Sequence, residues 1–269
     1  MSIQSLFSLE GKTAVITGGS RGLGLYMAEA IILAGGARVY ISSRKQKACE
    51  EAAAYINDLA KKNGLKGQAI PLAADLGKRE GAEYLAAEVA KRESKLDILI
   101  ANAGASWGED FEKHPADAID KVLNLNLKGV FFSIQLLAPL LENAGTAEDP
   151  SRVIITGSTA GLTAGLSGGT YGYLASKAGV HHLGKSLAVE LGPRNITVNM
   201  LAPGFFPSKM SNGLLEVIGD AVVGSNPRGR LGVKEDIIGA TIYLLSKAGN
   251  YANGVVLPLD GGSHLNARM

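Results

Sequence analysis

The sequence contains a single cysteine, and this scarcity sets the first limit on the kind of protein it encodes. Because Cys49 is the only cysteine, an internal disulfide is excluded and a reducing compartment is indicated. Cys49 lies in an alanine-rich helical pattern beside Glu50 and Glu51, with no histidine nearby in the sequence. We therefore expect Cys49 to have a structural role and not to act as a nucleophile.

Long apolar runs and an excess of charge of one sign are also missing. No apolar run approaches the ~20 residues that a membrane-spanning helix needs. The N-terminal stretch MSIQSLFSLEGK lacks the basic and apolar regions of a signal peptide. The formal net charge is +2, and the basic residues form no stripe of the kind that binds nucleic acid. We expect a cytoplasmic protein that binds neither nucleic acid nor a membrane.

Short apolar runs alternate along the chain with longer helical patterns such as Lys45–Asn63, Gly81–Arg92 and Ala116–Leu141. Continuous apolar strands separated by helices are typical of a parallel sheet covered on both faces. The sequence therefore predicts a single doubly wound α/β Rossmann domain over residues 1–269, with a seven-stranded parallel sheet. The segment 203–230 has no clear strand, and we expect it to form a lid over the substrate. The predicted strands are Thr13–Thr17, Arg38–Ser42, Gly67–Leu72, Leu96–Ala101, Arg152–Thr156, Ile196–Leu201 and Val255–Leu259.

A glycine-rich turn follows the first predicted strand and precedes a helical pattern. Glycines there let the backbone turn sharply and approach a pyrophosphate, while the helix N-terminus supplies N–H donors and partial positive charge. Its position at the first strand–helix junction makes it more specific than an isolated glycine-rich turn. The candidate cofactor-binding residues of this turn are Gly18, Ser20, Arg21, Gly22, Leu23 and Gly24.

The end of the second predicted strand indicates which dinucleotide binds. Enzymes selective for NAD usually carry an acidic residue there, which holds the ribose 2′-hydroxyl. This chain instead reads Ser42-Ser43-Arg44-Lys45. Arg44 can pair with a 2′-phosphate, Ser43 can donate a hydrogen bond to it, and Arg21 points to the same region. The sequence therefore predicts NADP(H). The alternative is that Arg44 simply begins an exposed helix.

Tyr173 and Lys177 form a Y-x-x-x-K pair at the start of a long helical pattern. Residues four apart lie on one face of a helix, so the ammonium is expected to lower the pKa of the phenol. Ser158 ends the fifth predicted strand, and ligands bind at the carboxyl ends of parallel strands. We therefore predict that Ser158, Tyr173 and Lys177 meet in a catalytic site.

These motifs together resemble the classical short-chain dehydrogenase/reductase superfamily over essentially the whole chain. The interval from Ser158 to Tyr173 is slightly longer than is usual there, and the loop Thr163–Thr170 is expected to absorb the difference. Ala101 replaces an asparagine that usually precedes N-A-G. Within the superfamily the chain is most similar to 3-oxoacyl-(acyl-carrier-protein) reductases, including the branch associated with rhamnolipid synthesis. Further residues that match the family's motifs are Asp75, Leu76, Asn102, Ala103, Gly104, Asn126, Pro203, Gly204, Ser208, Asp260, Gly261 and Gly262.

The resemblance implies NADPH-dependent reduction of a carbonyl, in a ketone or a 3-oxoacyl thioester, to an alcohol. Tyr173 would donate the proton, and Ser158 would orient the carbonyl oxygen. Lys177 would hold the nicotinamide ribose, and Asn126 would fix a water that feeds protons to Lys177. Asp75-Leu76 would meet the adenine ring, and Ser208 would touch the nicotinamide amide.

Two other functions remain open at this stage. One is NAD-dependent alcohol oxidation on the same fold, and the other is a non-catalytic dinucleotide sensor or scaffold. A metal site is not expected, because the adjacent His181 and His182 point in different directions from a helix and further ligands are missing.

The helical patterns of Tyr173–Leu191 and Val130–Leu141 are apolar over more of their circumference than contact with one sheet requires. Family members pair through these segments, so a homotetramer or a dimer is expected. The C-terminal Ala267-Arg268-Met269 loosely resembles a peroxisomal address, which leaves the peroxisome as an alternative to the cytoplasm.

Overall fold

The strands of the computed structural model form one parallel seven-stranded sheet in the order β3-β2-β1-β4-β5-β6-β7. The structure describes residues 2–164, 168–208 and 212–266, with the backbone alone at 212–215, 217 and 218. The strands are β1 Thr13–Thr17, β2 Arg38–Ser42, β3 Gln68–Pro71, β4 Ile98–Ala101, β5 Ser151–Thr156, β6 Ile196–Pro203 and β7 Val256–Leu259.

The α-helices lie between the strands and connect them as right-handed crossovers require. A π-helical turn, Asn124–Lys128, separates two of them, and a 3₁₀ turn, Thr159–Gly161, follows β5. The helices are α1 Ile3–Leu6, α2 Gly22–Leu33, α3 Gln46–Lys62, α4 Arg79–Ala90, α5 Ala116–Leu123, α6 Gly129–Ala144, α7 Tyr171–Leu191, α8 Asn212–Ser225 and α9 Lys234–Leu245.

Alternate residues of each central strand face two separate hydrophobic cores, because successive side chains of a strand point to opposite faces. Val15 packs into the core beneath α4, α6 and α7, whereas its neighbour Ile16 packs into the core beneath α2, α3 and α9. Both side chains are fully buried. This two-sided burial explains why the strands appear in the sequence as continuous apolar runs.

The predicted fold class is confirmed, and each predicted strand is present with bounds that differ by at most a few residues. The predicted helix Ala116–Leu141 is a helical segment that runs on to Ala144 and contains the π-helical turn. This segment, Ala116–Ala144, is long and apolar enough to pass a test for a membrane span, with a mean hydropathy of 1.2. In this structure 44% of its most apolar stretch is buried inside the protein.

Strand order changes direction between β1 and β4, which are neighbours although two strands separate them in the chain. In open parallel sheets, ligands bind in the crevice outside the carboxyl ends of the strands at such a switch point. Thr17 pairs with Ala101 at this end of the sheet, so the loops that follow β1 and β4 both border the crevice.

Candidate active site

The glycine-rich turn after β1 is packed so tightly that two of its glycines have no room for a side chain. Gly18 adopts a positive φ of 66°, and a Cβ there would lie 2.9 Å from the Cα of Ala103. A Cβ on Gly24 would overlap the carbonyl oxygen of Gly18 and the side-chain amide of Asn102. The start of α2 therefore presses against the loop after β4.

Asn102 and Thr17 fasten these two loops to each other. The Asn102 side-chain nitrogen donates to the carbonyl oxygens of Thr17 and Gly18, at 3.1 Å each. The Thr17 hydroxyl accepts the backbone N–H groups of Asn102 and Ala103, at 3.0 Å each. The predicted Asn102-Ala103-Gly104 segment thus holds the shape of the glycine-rich turn, and buried Ala101 ends β4 beside it.

The N-terminus of α2 is left open as a cradle for an anion. Arg21 occupies the N-cap position, and its side chain caps no backbone N–H. A Cβ on Gly22 would meet only the Cβ of Ser208, at 3.8 Å, so the space above the turn is free of backbone. Such a helix N-terminus binds phosphate through its unpaired N–H groups and its dipole. Ser208 lies across this opening, and its contact with the cofactor stays a prediction.

The residues after β2 suit a second phosphate. Arg44 and Lys45 are exposed, and in the described part of the chain neither they nor Arg21 form an ion pair. The Ser43 hydroxyl lies 3.1 Å from the Cys49 sulfur, and this contact helps to fix its position. Cys49 itself is buried, which agrees with the structural role expected of it.

Asp75 and Leu76 border the crevice on the side of β3. Asp75 is exposed, and its carboxylate accepts the backbone N–H of Gly77 at 3.2 Å. Leu76 is buried to 4% exposure, and its carbonyl oxygen leaves no room for a Cβ on Gly129 at the start of α6. Their contact with an adenine ring stays a prediction.

Ser158 and Tyr173 meet at the carboxyl end of β5. Ser158 caps the 3₁₀ turn that follows the strand, and its hydroxyl accepts the N–H of Ala160 at 3.1 Å. Tyr173 stands in the first turn of α7 and hydrogen-bonds the Ser158 side chain. The two predicted reacting groups are therefore in direct contact.

Lys177 lies one helical turn after Tyr173. Its Nζ donates to the carbonyl oxygen of Thr156 at 2.7 Å and lies 5.5 Å from the centre of the Tyr173 ring. The side chain is buried, and burial lowers the pKa of Lys177 to about 8. The structure thus brings the predicted Ser158, Tyr173 and Lys177 together.

The expected lowering of the Tyr173 pKa by Lys177 is wrong for this structure. Burial raises the pKa of the phenol, and the hydrogen bond with Ser158 offsets part of that rise. The Lys177 Nζ bonds the Thr156 carbonyl, and the hydrogen bond that lowers the phenol pKa comes from Ser158. A raised pKa keeps the phenol protonated at neutral pH, but it also makes the phenol a weaker acid.

Asn126 lies in the π-helical turn and is buried to 1% exposure. Its oxygen accepts the N–H of Ala105, and its nitrogen donates to the Ala105 carbonyl, both at 2.9 Å. The same nitrogen donates to the Ser176 hydroxyl at 3.0 Å. Asn126 therefore joins the loop after β4 to α7, and its predicted role in holding a water stays a prediction. π-Helical turns occur often at functional sites.

Pro203 and Gly204 form the wall of the crevice opposite the glycine-rich turn. Pro203 ends β6, and the N–H of Gly204 donates to the Leu259 carbonyl at 3.0 Å. A Cβ on Gly204 would lie 2.6 Å from the Cβ of Asp260, so the predicted C-terminal motif packs against this wall.

Three contributions to the site were not assigned from the sequence. His181 is buried beside Ser158, Ser176 binds Asn126, and the Thr17 hydroxyl bridges two loops. The Y-x-x-x-K spacing was the available signal for His181, because the residue four positions after Lys177 lies on the same helix face. Among the described residues, no group of three histidine, cysteine or acidic side chains is placed to hold a metal ion.

Comparison with known proteins supports the motifs. A family model for short chain dehydrogenases matches residues 12–217. The rhamnolipids biosynthesis 3-oxoacyl-[acyl-carrier-protein] reductase of Pseudomonas aeruginosa is 42% identical over 96% of this chain and 98% of its own. The 3-oxoacyl-[acyl-carrier-protein] reductase FabG of Thermotoga maritima is 30% identical over 94% of this chain and 98% of its own.

A solved structure, the Pseudomonas aeruginosa RhlG/NADP active-site complex, superposes with a TM-score of 0.90. It is 40% identical in sequence, and the match covers 97% of this chain and 99% of that one. The fold, the order of the motifs and these similarities agree: the chain belongs to the short-chain dehydrogenase family.

Proposed function

We propose that this protein uses NADPH to reduce the keto group of a 3-oxoacyl thioester to an alcohol, with Tyr173 as the proton donor. The general activity, reduction of a carbonyl with NADPH by a short-chain oxidoreductase, is the one predicted from the sequence. The family and the NADP complex of a relative confirm this activity. The observation that supports Tyr173 as the proton donor is its contact with Ser158 beside Lys177 at the switch-point crevice.

The chemistry assigned to the side chains follows from their positions. NADPH, when bound, supplies the hydride. The Ser158 hydroxyl orients the substrate oxygen, and the Tyr173 phenol gives that oxygen its proton. Burial raises the pKa of Tyr173, so the phenol carries its proton at neutral pH. The Lys177 ammonium lies 5.5 Å from the centre of the Tyr173 ring and is proposed to bind the cofactor ribose as well.

The cofactor-binding residues fit a dinucleotide that carries an additional phosphate. The open cradle at Gly22 suits the pyrophosphate. Arg44 and Arg21, which form no ion pair in the described part of the chain, suit the 2′-phosphate, with Ser43 as a hydrogen-bond donor. An enzyme selective for NAD would carry an acidic residue at this place, and none is present between Ser42 and Lys45.

The 3-oxoacyl substrate is proposed from the relatives. Two of the similar proteins are 3-oxoacyl-[acyl-carrier-protein] reductases, and one of them shares 42% of its residues with this chain. The segment 203–230 is proposed as the lid over this substrate, although its residues 209–211 lie outside the described residues. Ser208 faces Gly22 across the crevice, and α8 makes up much of the segment.

We further propose a homotetramer, or a dimer, built on α6 and α7. Among the described residues, an apolar groove runs along these helices and the π-helical turn, lined by Leu127, Phe131, Phe132, Gly179, His182 and Leu183. Two copies of this face would cover each other in a closed symmetric pair. Light scattering should report a mass well above the 27.9 kDa of one chain, and Leu183→Glu should shift it downward. A wild-type monomer would refute the proposal.

The cytoplasm, without a membrane or nucleic-acid partner, remains the predicted setting. The peroxisomal alternative gains no support from the comparisons, and Ala267, Arg268 and Met269 lie outside the described residues.

A panel of substrates tests the proposed activity. Purified protein is assayed with NADPH and with NADH against 3-oxoacyl thioesters, quinones and small ketones, and against alcohols in the reverse direction. We expect NADPH-dependent turnover that is fastest with a 3-oxoacyl thioester. Preference for NAD with alcohols would instead support the dehydrogenase alternative, and absence of turnover across the panel would support the sensor or scaffold.

A further inference from the structure

His181 lies on the same face of α7 as Tyr173 and Lys177, because each of these residues is four positions from the next. All three contact the end of β5. Tyr173 bonds the Ser158 side chain, Lys177 bonds the Thr156 carbonyl, and His181 Nε2 accepts the backbone N–H of Ser158 at 3.4 Å. The imidazole is buried to 4% exposure.

The Ser158 N–H is the first main-chain donor beyond the sheet. The preceding N–H, of Gly157, still bonds the Leu201 carbonyl of β6 at 2.7 Å. Ser158 itself is buried to 9% exposure, and the imidazole is the acceptor that the structure provides for its N–H. A buried N–H without an acceptor destabilises the conformation that buries it. The histidine thus favours the backbone conformation in which the Ser158 hydroxyl faces Tyr173.

Gly157 leaves the space that the His181 ring occupies. A Cβ at residue 157 would overlap His181 Nε2 and would lie 2.6 Å from its Cδ2. The imidazole therefore occupies the space in which any other residue at 157 would place its side chain. Gly157 and His181 form a matched pair immediately before the predicted catalytic serine.

The imidazole is suited to accept a hydrogen bond. Burial, with a smaller contribution from the Lys177 charge, lowers the pKa of His181 to about 4. The neutral ring has one donor and one acceptor nitrogen. Because Nε2 faces an N–H, we assign the ring proton to Nδ1, which is buried and has no hydrogen-bond partner among the described residues.

We propose that His181 is a positioning residue of the active site, which holds the backbone of Ser158 so that its hydroxyl meets Tyr173 and the substrate oxygen. This inference rests on the proposed reduction. His181 acts through the backbone of Ser158. Its loss should therefore reduce turnover more than it reduces cofactor binding, since errors of about 1 Å in a positioned group can lower rates by ~100-fold.

The test compares His181→Gln with His181→Met. The two side chains have similar length and volume, but glutamine carries a carbonyl acceptor where methionine has only a weak one. We expect His181→Met to lower kcat by roughly 10-fold to 100-fold with little change in NADPH affinity. His181→Gln should recover most of kcat. Val180→Ala, a neighbouring buried change without a hydrogen bond, controls for loss of packing and should lower Tm with little change in kcat.

Amide hydrogen exchange provides a readout that does not need a substrate. A peptide spanning residues 153–160 should exchange faster in His181→Met than in wild type, and at nearly the wild-type rate in His181→Gln. Equal kcat and equal exchange in the methionine and glutamine variants would overturn the proposal. If wild type turns over no carbonyl, the proposed function fails, and the exchange experiment still decides whether His181 holds Ser158. A methionine variant that lowers Tm alone would mean that His181 only fills space.

Discussion

The ammonium of Lys177 donates a hydrogen bond to the carbonyl oxygen of Thr156, 2.7 Å away at the end of β5. The side chain is buried to 5% exposure, and burial lowers the pKa of Lys177 to about 8. At neutral pH the free protein therefore carries a buried charge without a carboxylate partner in the described part of the chain. An unpaired buried charge lowers the stability of the fold. Residues that serve activity often carry such a cost in stability.

Lys177→Met should abolish turnover while leaving the free protein at least as stable as wild type. The pKa falls from 10.5 to about 8, which corresponds to about 3 kcal/mol of stability that the charged lysine costs below pH 8. Loss of the bond to Thr156 offsets part of this gain. Thermal unfolding at pH 7 measures the result, with the exposed Lys185→Met as control. A large fall in Tm would show that Lys177 stabilises the fold.

Tyr173→Phe should preserve the fold and cofactor binding but lose nearly all reduction. The substitution removes only the hydroxyl that bonds Ser158 and is proposed to give the proton. General acid catalysis contributes typically ~10²–10⁴-fold, so turnover should fall by at least about 100-fold. Single-turnover kinetics with saturating NADPH measure the chemical step directly. Turnover above about a tenth of wild type would mean that another group is the acid. Tyr171→Phe, two residues earlier on α7, is the matched control and should retain turnover.

Much of this site could be predicted because its parts are local in sequence. The turn around Gly18 needs residues without a Cβ, and the pair Tyr173–Lys177 needs helical spacing alone. Strands buried on both faces appear as apolar runs, so the sheet could be predicted too. The end of α7 was also correct, but its start lies at Tyr171, two residues before the predicted one.

The features that were missed depend on contacts between distant segments. The π-helical turn at Asn124–Lys128 lies within the helical pattern predicted for Ala116–Leu141, and nothing local marks it as a π-turn. It lies where Gly129 packs closely on the Leu76 carbonyl, and where Asn126 reaches Ala105. The spacing of α7 places His181 on the face of Tyr173 and Lys177, but its contact with Ser158 depends on β5 ending beside α7.

Arg44→Asp should weaken NADPH binding much more than NADH binding. The change removes a cation that forms no ion pair in the described part of the chain and places a carboxylate near the proposed 2′-phosphate. Removal of the charge-assisted hydrogen bond to the phosphate, together with the new repulsion, should raise the Kd for NADPH by roughly 100-fold. Fluorescence titration with both cofactors measures the discrimination, and the exposed Lys66→Asp serves as control. Unchanged discrimination would place the phosphate elsewhere, with Arg21 and Lys45 as the next positions to test.

The stability of wild type should fall between pH 6.5 and pH 4 because of His181. Burial lowers the pKa of this imidazole from 6.5 to about 4 in the folded protein. In that window the unfolded chain takes up a proton that the folded protein does not, so unfolding becomes more favourable as the pH falls. The contribution is fully present above pH 6.5, and about 3 kcal/mol of it is lost on reaching pH 4.

Urea unfolding at half-unit pH steps, with wild type and His181→Gln side by side, isolates this contribution. The glutamine variant cannot take up the proton, so its free energy of unfolding should fall less over the same window, by about 1.4 kcal/mol per pH unit at most. Carboxylates such as Asp149 and Asp260, whose pKa values are lowered by their partners, lose their contribution at lower pH and do so equally in both proteins. Parallel curves for the two proteins would mean that His181 titrates normally in the folded state. The imidazole could then not be the buried neutral acceptor that holds Ser158.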